Sequence, residues 1–267
     1  MTNFQCEVQD AGPYGAVHIY YHKYTVRDGT APIAVVHHAH QSSAYQLRFN
    51  SPGMRSVVDY LSMVGYVVVV GDFGAAGHNP NGFGAAQWGN DDNQQGINSA
   101  KNFGVSYGGS STKKLFLVGL SMGACATLSY AGRYPANVAG VLGILPAIDI
   151  SAYKNAAANG LPESFRTTID AAYGGSYSNA TDGPTHNPRV MADTGVYTMP
   201  IQLWWGYEDV YAPYHLVSAF YAAVKSANAG APITINRVPG LSVEHADAPA
   251  GDVPKSVIAS FALSCVS

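Results

Sequence analysis

Charge is scarce in this sequence. Its 14 basic and 17 acidic side chains amount to 12% of 267 residues, about half the average share of about 25%, and they leave a net charge of −3 with no run of one sign. Nucleic acid is therefore not an expected partner, because phosphate backbones are held by clustered Lys and Arg. Long apolar runs are missing as well. One of the longest, Val64 to Gly71, stops at Asp72, far short of the roughly 18 residues a membrane-spanning helix needs. The N-terminus MTNFQCEVQD has no basic stretch leading into an apolar one, so no secretory signal is expected. The chain is expected to be soluble and cytoplasmic, or to reach an extracellular or virion assembly by another route. Cysteine is rare: Cys6, Cys125 and Cys265 are too few and too scattered for a disulfide framework or a zinc site with paired spacing. Cys125 reads as a small buried hydrophobe. Cys6 and Cys265 lie near opposite ends of the chain, and because termini often sit close together a bridge between them stays open.

What the sequence does have is apolar material, 47% of its residues. A chain of this length can bury roughly three quarters of its unfolded surface, so one domain spanning residues 1–267 is expected. Val17, Ile19 and Tyr21 alternate with His18, Tyr20 and His22, the pattern of a half-buried antiparallel strand. The runs Ile33–Val36, Val67–Val70, Leu115–Val118, Val138–Leu145 and Ile201–Trp205 are nearly continuous, as parallel strands covered on both faces are. Ile233–Val238 alternates and belongs nearer an edge. Helical stretches separate the runs: Met54–Met63, Ala85–Phe103, Met122–Tyr134, Tyr214–Ala227 and Val253–Leu263. The expected fold class is α/β, with a mostly parallel, doubly wound sheet and one antiparallel N-terminal strand. From Ser151 to about Tyr197 the rhythm breaks into Gly, Asn, Ala, Thr and Tyr, and an insertion of that length in a compact domain is expected to be a lid or binding loop.

Two pentapeptides have the form Gly-x-Ser-x-Gly. GVSYG, residues 104–108, runs into the loop Gly109-Ser110-Ser111-Thr112 and reads as turn sequence. GLSMG, residues 119–123, follows the strand KKLFLV and opens the helix ACATLSYAGRYP. Strand, sharp turn and helix are the context a nucleophile elbow needs, which favours Ser121 over Ser106. Such a turn holds its serine in a sparsely populated backbone conformation, and glycines two residues to either side remove side chains that would collide. The helix N-terminus points amides at the reaction centre, so the Met122 N–H is a candidate oxyanion donor. The alternative is a plain serine N-cap.

A serine hydroxyl needs a base, and the base an orienting carboxylate. GLSMG, the later WWGYEDVYAP after a strand, and an isolated histidine before the last helix together give the chain a resemblance to the α/β-hydrolase superfamily over nearly its whole length. There the order along the chain is serine, acid, histidine, so the resemblance implies Asp209 as the acid and His245 as the base, with Glu208 and Asp149 as rival acids. His215, the other histidine after Asp209, falls on the helix opened by Pro213. The superfamily usually shows His-Gly and then a second oxyanion donor after the strand ending at Val36. Here the segment reads VVHHAHQSS, so the donor is the His40 amide or the Ala39 amide depending on alignment, and the usual glycine is absent. The activity implied is cofactor-free hydrolysis of a small-molecule or lipid-like carboxylic ester by Ser121, His245 and Asp209. An amidase or peptidase would use the same machinery, and a catalytically idle binding module is the non-enzyme alternative.

His37, His38 and His40 also raise the question of a metal, but no acidic or cysteine ligand accompanies them, so none is expected. Asp72-Phe73-Gly74 matches a kinase tripeptide without the phosphate loop or lysine that should attend it, and GDFGAAG reads as a structural turn. Strand alternation sends Trp204 and Trp205 to opposite faces. Trp88 and the insertion's Tyr153, Phe165, Tyr173 and Tyr177 are left between core packing and lining an apolar pocket.

Overall fold

The computed structural model describes residues 4–10, 16–22, 24–25, 27–40, 42–44, 51–73, 87–175, 177–239, 245 and 251–266. Among the described residues, eight strands form one sheet: β1 (Phe4–Asp10), β2 (Ala16–His22), β3 (Ile33–His37), β4 (Val67–Gly71), β5 (Leu115–Leu120), β6 (Val138–Ile144), β7 (Ile201–Trp205) and β8 (Ile233–Arg237). Their spatial order is β1-β2-β4-β3-β5-β6-β7-β8. Because β2 pairs antiparallel with both β1 and β4 while the remaining pairs are parallel, it alone runs against the rest, as its sequence predicts. β8 takes the expected edge position.

Period-two alternation divides the strand residues between two cores. Val35, Val69, Leu117 and Leu203 face one layer, built with Ile97, Leu128 and Phe220 from helices α2 (Asp91–Ser106), α3 (Met122–Arg133) and α8 (Tyr214–Ala227). Val36, Val70, Val118 and Trp204 face the other, with Val57 and Leu61 of α1 (Pro52–Met63) and Ile258 of α9 (Lys255–Val266). Trp205 packs on the first layer, so the two tryptophans do part company.

β1 adds a strand to those expected, and two expectations need correction. β2 is not half-buried, since His18 and Tyr20 are 3% and 1% exposed; α1 lies over that face and shares a core with Tyr20. Residues 87–90 form a turn rather than helix, because Asn90 caps α2 by accepting from the Asn93 N–H at 3.0 Å and Gly89 takes a left-handed φ of 76°. Ala85 and Ala86, and the GDFGAAG turn beyond Phe73, lie outside the described residues. Cys6 and Cys265 are both thiols, packed on the same core layer.

Between β6 and β7 the chain is helical: α4 (Ile150–Lys154), α5 (Glu163–Ala172), α6 (Gly183–His186) and α7 (Pro188–Ala192). Tyr153, Phe165, Ile169 and Tyr177 join Trp88, Met122 and Cys125 in a third apolar cluster. The chain passes from β3 to β4 on one side and then returns to β5 on the other. The carboxyl ends of β3 and β5 therefore flank the topological switch point, where crevices open in sheets of this kind.

Candidate active site

β5 ends at Leu120, and the next residue sits at φ 54°, ψ −118°. No side chain but glycine's adopts such a backbone readily, so Ser121 is held there by what surrounds it. Its N–H donates to the Ile144 carbonyl at 2.9 Å, and its own carbonyl accepts from Ala124 and Ala147 at 2.9 and 3.1 Å. A Cβ on Gly119 would run into the backbone of Gly123 and Ala124, and one on Gly123 would strike the carbonyls of His37 and His38. The first glycine thus clears the turn itself, while the second lets α3 approach the end of β3.

The Ser121 hydroxyl points at His245, with Oγ 2.6 Å from Nε2. On the far side of the ring, Nδ1 lies 2.8 Å from Asp209 Oδ2. A carboxylate can only accept, so Nδ1 carries the proton, and in the neutral ring Nε2 is left to accept from the serine. Asp209 is itself fixed: Oδ1 accepts from the Tyr211 and Ala212 N–H groups at 2.9 and 2.8 Å, and the carboxylate is wholly buried. The Tyr211 ring stands 5.4 Å from the imidazole, and its carbonyl accepts from the Tyr153 hydroxyl at 2.7 Å. Most of the segment around His245 lies outside the described residues.

The rivals fall elsewhere. Ser106 is exposed at the end of α2, its hydroxyl donating to the Phe103 carbonyl at 2.7 Å. Glu208 is exposed, and so is His215 on the first turn of α8. Asp149 is the cap of α4, accepting from the Ser151 and Ala152 amides and from Asn187 Nδ2.

A cavity of about 510 Å³ opens over Ser121 and His245, lined by Ala39 and His40 after β3, by Leu120 and Leu145, and by Phe165 of α5. Both alternatives for the second oxyanion donor thus border it. Met122 supplies the first amide of α3, a position without an intrahelical acceptor. Of the uncertain aromatics, Phe165 lines the cavity, whereas Tyr153 is buried and Tyr173 donates to the Trp88 carbonyl at 3.0 Å. Tyr211, Leu145 and Ser42 also border the cavity. Nothing in their sequence context singled them out.

The three clustered histidines each engage protein groups. His37 Nδ1 donates to the His38 carbonyl at 3.0 Å, and its Nε2 accepts from Asn93 Nδ2 at 2.6 Å. Burial, reinforced by the nearby His38, pushes His37 down to about 3. His38 faces the Ala39 and Asp72 carbonyls at 2.7 and 3.3 Å. His40 Nε2 lies 3.0 Å from Thr168 Oγ1, and burial, with His38 and His245 close by, lowers this imidazole to about 4.

No family model matches the chain, and no curated protein matches it. Solved structures do. The Pyrococcus furiosus esterase Pf2001 superposes with a TM-score of 0.66 at 16% identity, covering 99% of this chain and 94% of the other. Est1E from Butyrivibrio proteoclasticus does so at 0.67 and 13%, covering 99% of each. A prolyl endopeptidase matches at 0.67 and 19%, with 99% of this chain covering 38% of that one. At such identities the likeness concerns the fold, and the fold is that of the α/β-hydrolases.

Proposed function

We propose that this chain is a serine hydrolase of carboxylic esters, with Ser121 as nucleophile, His245 as general base and Asp209 as the orienting acid. One observation carries the reading: an unbroken hydrogen-bonded series from a strained serine through an imidazole to a buried carboxylate, at the floor of a cavity. In the proposed reaction, the Ser121 Oγ attacks the acyl carbon as its proton passes to His245 Nε2. The tetrahedral oxyanion is held by the Met122 amide and by that of Ala39 or His40. The imidazolium then returns its proton to the departing alcohol, and water, activated by the same histidine, releases the acid. Asp209 keeps the ring in the tautomer this requires.

The segment 151–197 acts in this reading as a lid within one hydrolase domain, since Pro162, Ser164 and Phe165 form one wall of the cavity. With Leu120, Leu145 and Tyr211 also lining it, the cavity suits a modest apolar acyl or alcohol group. The test is a fluorophosphonate probe together with p-nitrophenyl esters of increasing length. Covalent labelling that Ser121→Ala abolishes, with turnover of the shorter esters, supports the reading. An unlabelled protein refutes it and leaves a hydrolase-like binding module. The prolyl endopeptidase among the structural neighbours favours amide cleavage as the second reading, which p-nitroanilides of the same acyl groups distinguish.

A further inference from the structure

The second oxyanion donor sits on a segment with little secondary structure to hold it. β3 has ended at His37, and among the described residues the next backbone closure is a turn bond from the Ser42 N–H to the Ala39 carbonyl at 3.2 Å. Side chains anchor the segment over long range: Asp72 takes His38 Nε2 on its carbonyl at 3.3 Å and accepts from the Ala44 N–H at 2.6 Å, and the His40 ring reaches the insertion, its Nε2 3.0 Å from the Thr168 hydroxyl on α5, 128 residues away.

That hydroxyl is a junction. It also accepts from the Trp88 indole N–H at 3.1 Å and donates to the Phe165 carbonyl at 3.0 Å. An indole only donates and a carbonyl only accepts, so all four groups are satisfied when His40 Nε2–H gives to the second lone pair of Thr168. The Phe165 and Trp88 rings flank the imidazole at 5.2 and 5.9 Å. α5 is moored in turn, with Asn90 Nδ2 donating to the Ala172 carbonyl at 2.8 Å.

We propose that Thr168 is a positioning residue: its hydroxyl, acting through the His40 ring, ties the insertion to the Ala39–His40 turn and so sets where the second oxyanion amide stands. The inference rests on the serine-hydrolase reading and extends it, because it makes the insertion part of the machinery for the tetrahedral intermediate as well as a cavity wall. Either Ala39 or His40 can be the donor, since both belong to the turn that Thr168 anchors.

An oxyanion contact is made in the transition state more than in the ground state, so its displacement appears in kcat with little change in KM. Complete loss of one such donor costs about 10²–10³ in kcat. Thr168→Val keeps the shape, removes the hydroxyl and should displace the donor only in part. The expected result on p-nitrophenyl acetate is a fall in kcat of about 10- to 100-fold with KM within about twofold, while Thr168→Ser retains most of the rate. A second readout is independent of turnover. In protein labelled with ¹⁵N-histidine, His40 should hold its proton on Nε2, and Thr168→Val should release the ring into tautomer exchange. Unchanged kcat in Thr168→Val, a loss confined to KM, an equal loss in Thr168→Ser, or a His40 ring already exchanging in the parent protein would each overturn the proposal. Failure of the parent protein to react with fluorophosphonate or any ester would instead overturn the serine-hydrolase reading, and the imidazole spectrum would still report the Thr168 bond.

Discussion

Gly123→Ala puts the elbow's geometry to a quantitative test. A methyl group there would stand 2.5 Å from the carbonyl oxygens of both His37 and His38, against ordinary contacts of about 3.5 Å and more. The obstructing atoms are backbone, held in register by the pairing of His37 with Gly71 and Gly119, so no side chain can swing aside. Relief requires α3 and the end of β3 to part by something near 1 Å. The two proposed oxyanion donors lie on opposite sides of that gap, Met122 on the helix and Ala39 or His40 just past the strand. A 1 Å misplacement of catalytic groups can cost about 10²-fold, and overpacking of this kind costs about 1–3 kcal/mol of stability. Gly123→Ala should therefore fold, melt several degrees lower, and lose about two decades of kcat/KM on a short p-nitrophenyl ester. Gly65→Ala is the control. Gly65 precedes the start of β4, has a φ of 98° and faces open space, so the substitution should strain the backbone without touching the rate. Wild-type kcat/KM in Gly123→Ala, at any melting temperature, would refute the argument that the two donors share one fixed separation.

Ser121→Ala should abolish ester hydrolysis and probe labelling with the fold intact, whereas Ser106→Ala, altering an exposed hydroxyl at the end of α2, should be silent; equal losses in kcat/KM would refute Ser121 as the nucleophile. Asp209→Asn should lower kcat by on the order of 10⁴ by leaving His245 in the wrong tautomer. Asp149→Asn should cost only stability, of order 1 kcal/mol for a weakened cap, and a rate loss larger than that of Asp209→Asn would move the acid one strand earlier. Stability should fall on acidification before most carboxylates titrate. The buried His37 imidazole, lowered to about 3, cannot take the proton that an unfolded histidine accepts near pH 6.5. Its contribution is thus complete above about pH 6.5 and is lost progressively towards pH 3, by about 3 kcal/mol at pH 4.5. A flat thermal-melting profile between pH 7 and 4.5 would contradict this.

The fold was legible where hydrophobic burial alone decided the outcome. Val67–Gly71 and Leu115–Leu120 are apolar and buried on both faces because helices cover both, and a continuous run has few other places to go. Legibility failed where a neighbour distant in sequence set the burial. His18 and Tyr20 carry polar atoms and alternate with aliphatics, so they read as solvent-facing; what buries them is α1, more than thirty residues downstream. Cys6 and Val8 alternate with Gln5 and Glu7, a strand signal that was present, but one that a half-polar seven-residue edge segment expresses weakly. Before α2 the apolar Trp88 continues the helical composition across a strong stop, the Asn90 cap behind a left-handed Gly89, so composition alone extends the helix too far.

The candidate site divides along the same line. Ser121 announces itself because its strain must be relieved by glycines at fixed offsets, and that demand is written within five residues. Asp209 and His245 needed the chain order of a known superfamily, since an aspartate in a turn and a histidine in a loop are individually commonplace. Thr168 had no signal at all. A threonine on the second turn of an amphipathic helix is ordinary, and its meeting with His40 and Trp88 depends on how the insertion docks over the switch point between β3 and β5. A nucleophile's requirements are backbone requirements and are therefore local, whereas a cavity's second wall is fixed by tertiary packing. On the proposed reading, what residue 168 must keep is a hydroxyl that meets the turn after β3.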